Sequence, residues 1–279
     1  VTEPLAPRVA IVTGAGRGLG RAMALGLARA GARVIALAAR ERDEIEAVSR
    51  ESQTIVPLLA DVSREEDCVR AVAEAKTRFG RLDVLVNNAG RGMKYVSERF
   101  MTEATRFWEV EPATWRMVID TNVNGPFLMA RAAVPLMRAA GWGRIINVSI
   151  SHATMRRAGF SPYGPSKAAL ESETVIWAQD LAGSGVTVNA LLPGGATLTG
   201  MIPDGYPAEL RARLLPPEVV VPPLLWLASE RSDGVTGMRF VAAPWRADRY
   251  ANEGAGGRPP LPATGPAGAP HDDAGWTRR

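Results

Sequence analysis

The stretch RVAIVTGAGRGLGRAMALGLARAG, residues 8–31, joins a short apolar run, a glycine-rich turn and an apolar-periodic helix without a break. Its first six residues suit a buried strand, and the helix closes at Gly31. Between them lies Thr13-Gly14-Ala15-Gly16-Arg17-Gly18-Leu19-Gly20. Gly14 permits a tight turn, while Gly18 and Gly20 let backbone and helix approach closely. Backbone N–H groups at the start of the helix then face outward, where a pyrophosphate is favoured. A glycine turn alone is weak evidence, but strand, turn and helix in this order read as a dinucleotide cradle.

The same alternation repeats along the chain. RVIALAA, TIVPLLADV, LDVLVNNAG, GRIINVSI, VTVNALLPG and TGMRFVAA read as further strands. Helical patterns separate most of them, including RERDEIEAVSRE, EEDCVRAVAEAKTRFG and the ranges 112–139 and 165–182. Gly125-Pro126 punctuates the first of those ranges, and PPEVVVPPLLWLASE reads as one more helix. Nearly continuous Val- and Ile-rich strands linked by helices predict a parallel sheet covered on both faces. Nothing resembling a linker precedes Tyr250, so residues 1–249 are expected to form one domain. The tail, 250–279, is rich in Gly, Pro and Ala and is expected to be flexible, with Trp276 as its one potential anchor.

Composition narrows the function. The 279 residues carry a formal net charge of +4 with no dense Lys/Arg block, which argues against a nucleic-acid partner. No apolar run reaches membrane-spanning length, and no secretory leader pattern opens the sequence. Cys68 is the only cysteine, which suits a reducing, cytoplasmic setting. With His152 and His271 the only histidines, no metal-site spacing arises and no metal is expected.

Two features define the chemistry. The second strand ends at Arg40, where an acid usually holds the adenosine ribose. An arginine there, with Arg17 in the turn, attracts a 2′-phosphate and favours NADP over NAD. Asp61, after the third strand, is placed to accept from an adenine amino group. The second feature is SPYGPSKAAL, residues 161–170, which sets Tyr163 and Lys167 four residues apart. On a helix they share a face, and a neighbouring ammonium favours the phenolate.

Together with TGAGRGLG, the Asp61-Val62 pair, NNAG at 87–90, Asn122 in DTNVNG, YGPSK, and PGGATLT after the sixth strand, these features resemble the classical short-chain dehydrogenase/reductase family over roughly residues 8–241. The resemblance implies a single-domain α/β fold, a Rossmann-type doubly wound parallel sheet. It implies hydride transfer between NADP(H) and a carbonyl or secondary alcohol, and a dimer or tetramer built on the helices near 112–139 and 165–182. Carried onto this sequence, Tyr163 is the general acid/base. Lys167 lowers its pKa and holds the nicotinamide ribose, and Asn122 supports a water-linked proton path. Asn88, Ala89 and Gly90 lie beside the cofactor. Asn189 and residues 193–199, including Pro193, Gly194, Thr197 and Thr199, flank the nicotinamide.

The serine departs from the pattern. The family places it thirteen residues before the tyrosine, where this chain has Ile150 between Ser149 and Ser151. Ser151 is the preferred substitute because it follows the strand, with Ser149 the other candidate; without either, the role is lost. His152 is expected to be exposed. The usual acid-Gly-Gly after the last strand is replaced by Ala242-Ala243-Pro244-Trp245. The 91–111 segment is longer than usual, and its Phe100, Phe107 and Trp108 are expected either to wall the entrance or to pack on a neighbouring subunit. The loop Met201-Ile202-Pro203-Asp204-Gly205-Tyr206-Pro207, with Trp108 and Trp245, suggests an apolar, cyclic or aromatic alcohol or ketone as substrate. A 3-oxoacyl thioester, steered by Arg156 and Arg157, is the alternative within the same chemistry. A non-catalytic nucleotide sensor or scaffold, for which Ile150 argues, is the alternative outside it.

Overall fold

A computed structural model describes residues 4–243 and Trp245. The tail expected from residue 250 onward, Trp276 included, lies outside the described residues.

The chain runs through β1 (Val9–Thr13), α1 (Gly18–Arg29), β2 (Arg33–Ala38), α2 (Arg42–Arg50), β3 (Ile55–Leu59), α3 (Glu65–Phe79) and β4 (Val84–Asn87). It continues through α4 (Pro112–Ile119), α5 (Gly125–Ala139), β5 (Gly143–Val148), α6 (His152–Met155), α7 (Tyr163–Asp180) and β6 (Val186–Leu192). α8 (Ala208–Arg211), α9 (Val221–Leu227) and β7 (Arg239–Val241) complete it. The seven strands among the described residues are all parallel, in the order β3-β2-β1-β4-β5-β6-β7. β1 therefore sits where the winding reverses, between β2 and β4. In open parallel sheets, a crevice forms beyond the strand ends at that point.

The strands are apolar throughout because both faces are covered. Along β1, Ala10 and Val12 join a layer with α1 and α9, whereas Val9 and Ile11 join the opposite layer with α3 and α5. β3 is an edge strand, which accommodates Pro57 and its missing N–H.

Three expected elements differ. The 112–139 helix is broken by a π-helical turn, Asp120–Asn124, just before the expected Gly125-Pro126 punctuation. Pro126 then occupies the first turn of α5, where a missing N–H costs nothing. The helix expected over 216–230 splits into a 3₁₀ turn, Pro217–Val220, and α9. Pro222 falls at the start of α9 for the same reason. α7 begins at Tyr163, two residues early, so Tyr163 and Lys167 both lie within it.

Of Phe100, Phe107 and Trp108 in the 91–111 segment, only Phe100 turns inward, packing edge-on against Phe160 beside the buried Met93. Phe107 and Trp108 are 69% and 68% exposed and stack edge-to-face on each other. Trp245 packs on Trp226 and Phe240 in the α1/α9 layer, so the sequence-based placement of this side chain in a substrate pocket is corrected. No helix among the described residues is long and apolar enough to cross a membrane.

Candidate active site

The crevice between β1 and β4 is assembled from the glycine turn outward. Gly14 has φ 63°, and a Cβ there would come within 2.9 Å of Ala89 Cα. A Cβ on Gly20 would fall 2.0 Å from the Gly14 carbonyl oxygen. Only glycine permits this closeness of helix and turn, so the backbone forms a cradle open to a pyrophosphate.

Thr13 locks that turn to β4. Its Oγ1 donates to the Val86 carbonyl at 3.2 Å and accepts from the Asn88 and Ala89 N–H groups, both at 2.9 Å. Asn88 Nδ2 donates to the Thr13 and Gly14 carbonyls at 2.8 and 3.0 Å. Both side chains thus shape the cradle. Gly16 abuts Glu44 of α2, and Leu19 packs on the α1 core layer. A Cβ on Gly18 would lie 3.1 Å from Thr199, so the segment after β6 reaches the turn. A cavity of about 350 Å³ opens there, bordered by Gly18, Arg21, Thr199, Gly200, Ile202 and Arg211.

The other expected cofactor residues are distributed unevenly. Arg17 pairs with Glu44 at 3.1 Å and approaches Glu41 at 4.0 Å. Arg40 is exposed just beyond β2 and has no side-chain partner among the described residues. Asp61 Oδ1 accepts from Ser63 N and Oγ, while Val62 is buried against Gly125. Pro193 accepts from Ala243 N, and Gly194 packs against Val241 and Ala243. Thr197 is buried in a bridge to Leu215. Asn189 is turned away from the crevice: its amide pins Val235 and Met238, which corrects its expected place beside the nicotinamide.

Lys167 and Asn122 come together beside Gly90, and Tyr163 lies one helical turn before Lys167 on α7. A Cβ on Gly90 would stand 3.4 Å from Asn122 Oδ1 and 3.7 Å from Lys167 Nζ. The π turn aims Asn122 into this corner. Its Oδ1 accepts from Arg91 N at 2.7 Å, and its Nδ2 donates to Arg91 O at 3.0 Å and Ser166 Oγ at 2.9 Å. Ser166 Oγ in turn donates to the Tyr163 carbonyl at 2.7 Å. Asn122 thereby ties the end of β4 to the first turn of α7.

Lys167 is buried and donates from Nζ to the Val148 carbonyl at 2.8 Å. Burial lowers its ammonium to about 8, while the Glu171 carboxylate pulls it back upward. Tyr163 packs against Met93 and Phe160, and burial pushes its phenol up to about 12. The lysine was expected to lower that phenol; in this structure burial dominates.

The two serines have different partners. Ser149 is buried, and its hydroxyl donates to Glu171 Oε1 at 2.6 Å. Ser151 caps α6: its Oγ accepts from Thr154 N at 3.1 Å and shares a 2.8 Å bond with Thr154 Oγ1. A hydroxyl has two acceptor lone pairs and one proton. If Thr154 donates both bonds, the Ser151 proton remains available. α6 also lies against the start of α7, since a Cβ on Gly164 would fall 2.1 Å from the Met155 carbonyl oxygen. Ile150 adds its carbonyl to an Arg239 contact at 2.6 Å.

Sequence reasoning passed over Ser166, Glu171 and Arg239. Ser166 and Glu171 had a local signal, flanking Lys167 on the same helix; Arg239 had none. Cys68 is inert, its thiol pushed up to about 12 by burial. Among the described residues no group of three or more His, Cys, Asp or Glu side chains could hold a metal.

Comparisons with known proteins place the chain in a family of this fold. The family model described as short chain dehydrogenase matches residues 8–208. A cis-4-hydroxycyclohexanecarboxylate dehydrogenase of Sinomonas cyclohexanicum is 35% identical over 84% of this chain and 94% of its own length. An acetoacetyl-CoA reductase of Rhizobium meliloti (strain 1021) is 34% identical over 84% of this chain and 96% of its own. The crystal structure of a 3-ketoacyl-(acyl-carrier-protein) reductase from Brucella melitensis, complexed with NADH, superposes with a TM-score of 0.76 at 31% identity, covering 85% of this chain and 97% of that one. With its parallel sheet, glycine cradle and Tyr-Lys helix, the chain belongs to the short-chain dehydrogenases, the NAD(P)-dependent oxidoreductases of this fold.

Proposed function

We propose that this chain reversibly reduces a ketone of an apolar or cyclic substrate to a secondary alcohol, with NADP(H) as partner. The observation that carries the reading is Lys167 and Asn122 meeting beside Gly90, past the end of β4, with Tyr163 one helical turn before Lys167 on α7.

The glycine cradle of residues 14–20 would hold the pyrophosphate, and Lys167 the nicotinamide ribose. Bound there, the nicotinamide supplies the hydride that the carbonyl carbon accepts. The Tyr163 phenol, pushed up to about 12, is protonated at neutral pH and so is a donor. It gives its proton to the substrate oxygen, and the Ser151 hydroxyl donates a hydrogen bond to that oxygen. The Lys167 ammonium offsets the charge left on the phenolate. Asn122 keeps the β4 end and α7 in register, consistent with a water-linked path toward Lys167.

Arg40 supports NADP over NAD: it is exposed just past β2, has no side-chain partner among the described residues, and would face the adenosine ribose of a dinucleotide held by the cradle. Arg17 contributes less because Glu44 and Glu41 already engage it. Met93, Phe100 and Phe160 make an apolar wall beside Tyr163, which favours a cyclic or otherwise apolar substrate. The named relatives act on a cyclohexane carboxylate and on acetoacetyl-CoA. A 3-oxoacyl thioester is therefore the second reading, supported by Arg156 and Arg157, exposed after α6. Residues 1–249 form the catalytic domain in this proposal and 250–279 a tail. Exposed Trp115, Phe127 and Ile176, on α4, α5 and α7, would be covered in a homo-oligomer. A cytoplasmic setting suits the single, reduced Cys68.

The test is NADPH oxidation with cyclohexanone, 4-oxocyclohexanecarboxylate and acetoacetyl-CoA, run on the parent and on Tyr163→Phe. The variant should bind NADPH normally and lose about 100-fold or more in turnover. Near-parental turnover would remove Tyr163 from the mechanism. Binding of NADPH with no turnover of any ketone would favour a nucleotide sensor.

A further inference from the structure

Four of the five residues from Val148 to His152 are tied down by side chains of α7 and β7. Lys167 holds the Val148 carbonyl. Glu171, one turn further along α7, accepts on Oε1 from Ser149 Oγ at 2.6 Å and from Arg239 Nε at 2.9 Å. Its Oε2 meets His152 Nε2 at 3.1 Å. Arg239, on β7, also donates from Nη2 to the Ile150 carbonyl at 2.6 Å. The Glu171 and Arg239 side chains are only 15% and 12% exposed, so they compensate one another in a poorly solvated place. Charge-assisted bonds of this length are directional and stronger than neutral ones. The residue left outside the clamp is Ser151.

We infer that Glu171 and Arg239 are positioning residues that set the course of the 149–152 segment, holding Ser149 off the substrate oxygen and presenting Ser151 to it. The inference rests on the reading of Ser151 as the residue that holds the substrate oxygen. A serine displaced by one position from its usual place needs a defined loop path, and the clamp defines it from two elements distant in sequence. Glu171 also acts electrostatically on Lys167, so loss of its charge alone would mix two effects. Arg239→Lys retains both charges but cannot reach Glu171 and the Ile150 carbonyl in the same forked geometry.

The experiment is a double-mutant cycle with NADPH and whichever of the three ketones turns over fastest. It uses Ser151→Ala, Arg239→Lys, Glu171→Gln and each of the latter two combined with Ser151→Ala. NADPH affinity and melting temperature are measured on every protein. Ser151→Ala should lower kcat about 100-fold. Arg239→Lys and Glu171→Gln should each lower kcat about 5- to 10-fold with NADPH affinity retained. In the Ser151→Ala background neither should cost more, because the group they position is gone. A full multiplicative loss in both double variants would overturn the inference, assigning the pair to the fold or to Lys167. Should Glu171→Gln fail to fold, the Arg239→Lys arm gives the same decision. A near-parental Ser151→Ala would overturn the serine reading itself and the inference with it.

Discussion

Lys167 Nζ donates to the Val148 carbonyl at 2.8 Å, joining the second turn of α7 to the last residue of β5. Burial lowers this ammonium from the ordinary 10.5 to about 8. Between those values the unfolded chain binds the proton that the folded chain has shed. Stability contributed by this lysine therefore rises with pH from about 8 toward 10.5. Lys167→Met should lose that rise, read as urea midpoints at pH 8 and pH 10, and lose about 100-fold or more in turnover. An unchanged difference between the two midpoints would detach Lys167 from the effect.

The charge at Arg40 offers a separate test of cofactor choice. Arg40 stands just past β2 with no side-chain partner among the described residues, so replacing it disturbs no internal bond. Arg40→Asp places an acid where the ribose is expected and repels a 2′-phosphate. The ratio of kcat/KM for NADPH over NADH should fall about 10- to 100-fold, with melting temperature little changed. A ratio that stays put would move the preference to another residue.

How much of this was legible in the sequence depended on the range of each interaction. The strands could be read because both faces of the sheet are covered, leaving apolar runs such as Val9–Thr13. Tyr163 and Lys167 could be read because one helical turn links them. The different surroundings of Ser149 and Ser151 could not, since Glu171, which accepts from Ser149, is held by Arg239, 68 residues away. The neutralisation of Arg17 by Glu44, 27 residues away, was hidden for the same reason. Nor could the π turn at Asp120–Asn124 be read, since its Asn122 bonds with Arg91 and Ser166, 31 and 44 residues away.

The cradle itself is testable at Gly20. An alanine Cβ would fall 2.0 Å from the Gly14 carbonyl oxygen and 2.5 Å from Asn88 Nδ2. The first contact is with backbone and cannot be relieved by a rotamer change. Gly20→Ala should therefore cost about 1–3 kcal/mol and weaken NADPH binding at least about 10-fold. Gly80→Ala is the control: a Cβ there meets nothing within 4 Å, and only its φ of 74° is strained. It should lower the urea midpoint modestly and leave NADPH binding intact. Equal binding losses in both variants would mean that the close approach at Gly20 is not what shapes the cradle.

Glu173 tests the electrostatics of α7 away from the reacting groups. Its Oε2 is buried with no hydrogen-bond partner among the described residues, and burial pushes the carboxyl from 4.5 up to about 7. A carboxyl raised in the folded state binds a proton that the unfolded chain releases. Its contribution is therefore present below 4.5 and lost as pH rises through about 7. Above that, the folded protein carries a poorly solvated charge that glutamine does not have. Glu173→Gln should stabilise the protein at pH 8 by about 1–2 kcal/mol, the full linkage value being reduced by partial solvent access. At pH 5 the gain should be smaller, because the folded parent is then already neutral at this position. Urea midpoints of parent and variant at the two pH values decide it: a gain of equal size at both would show that packing, not the buried charge, sets the energy of this site.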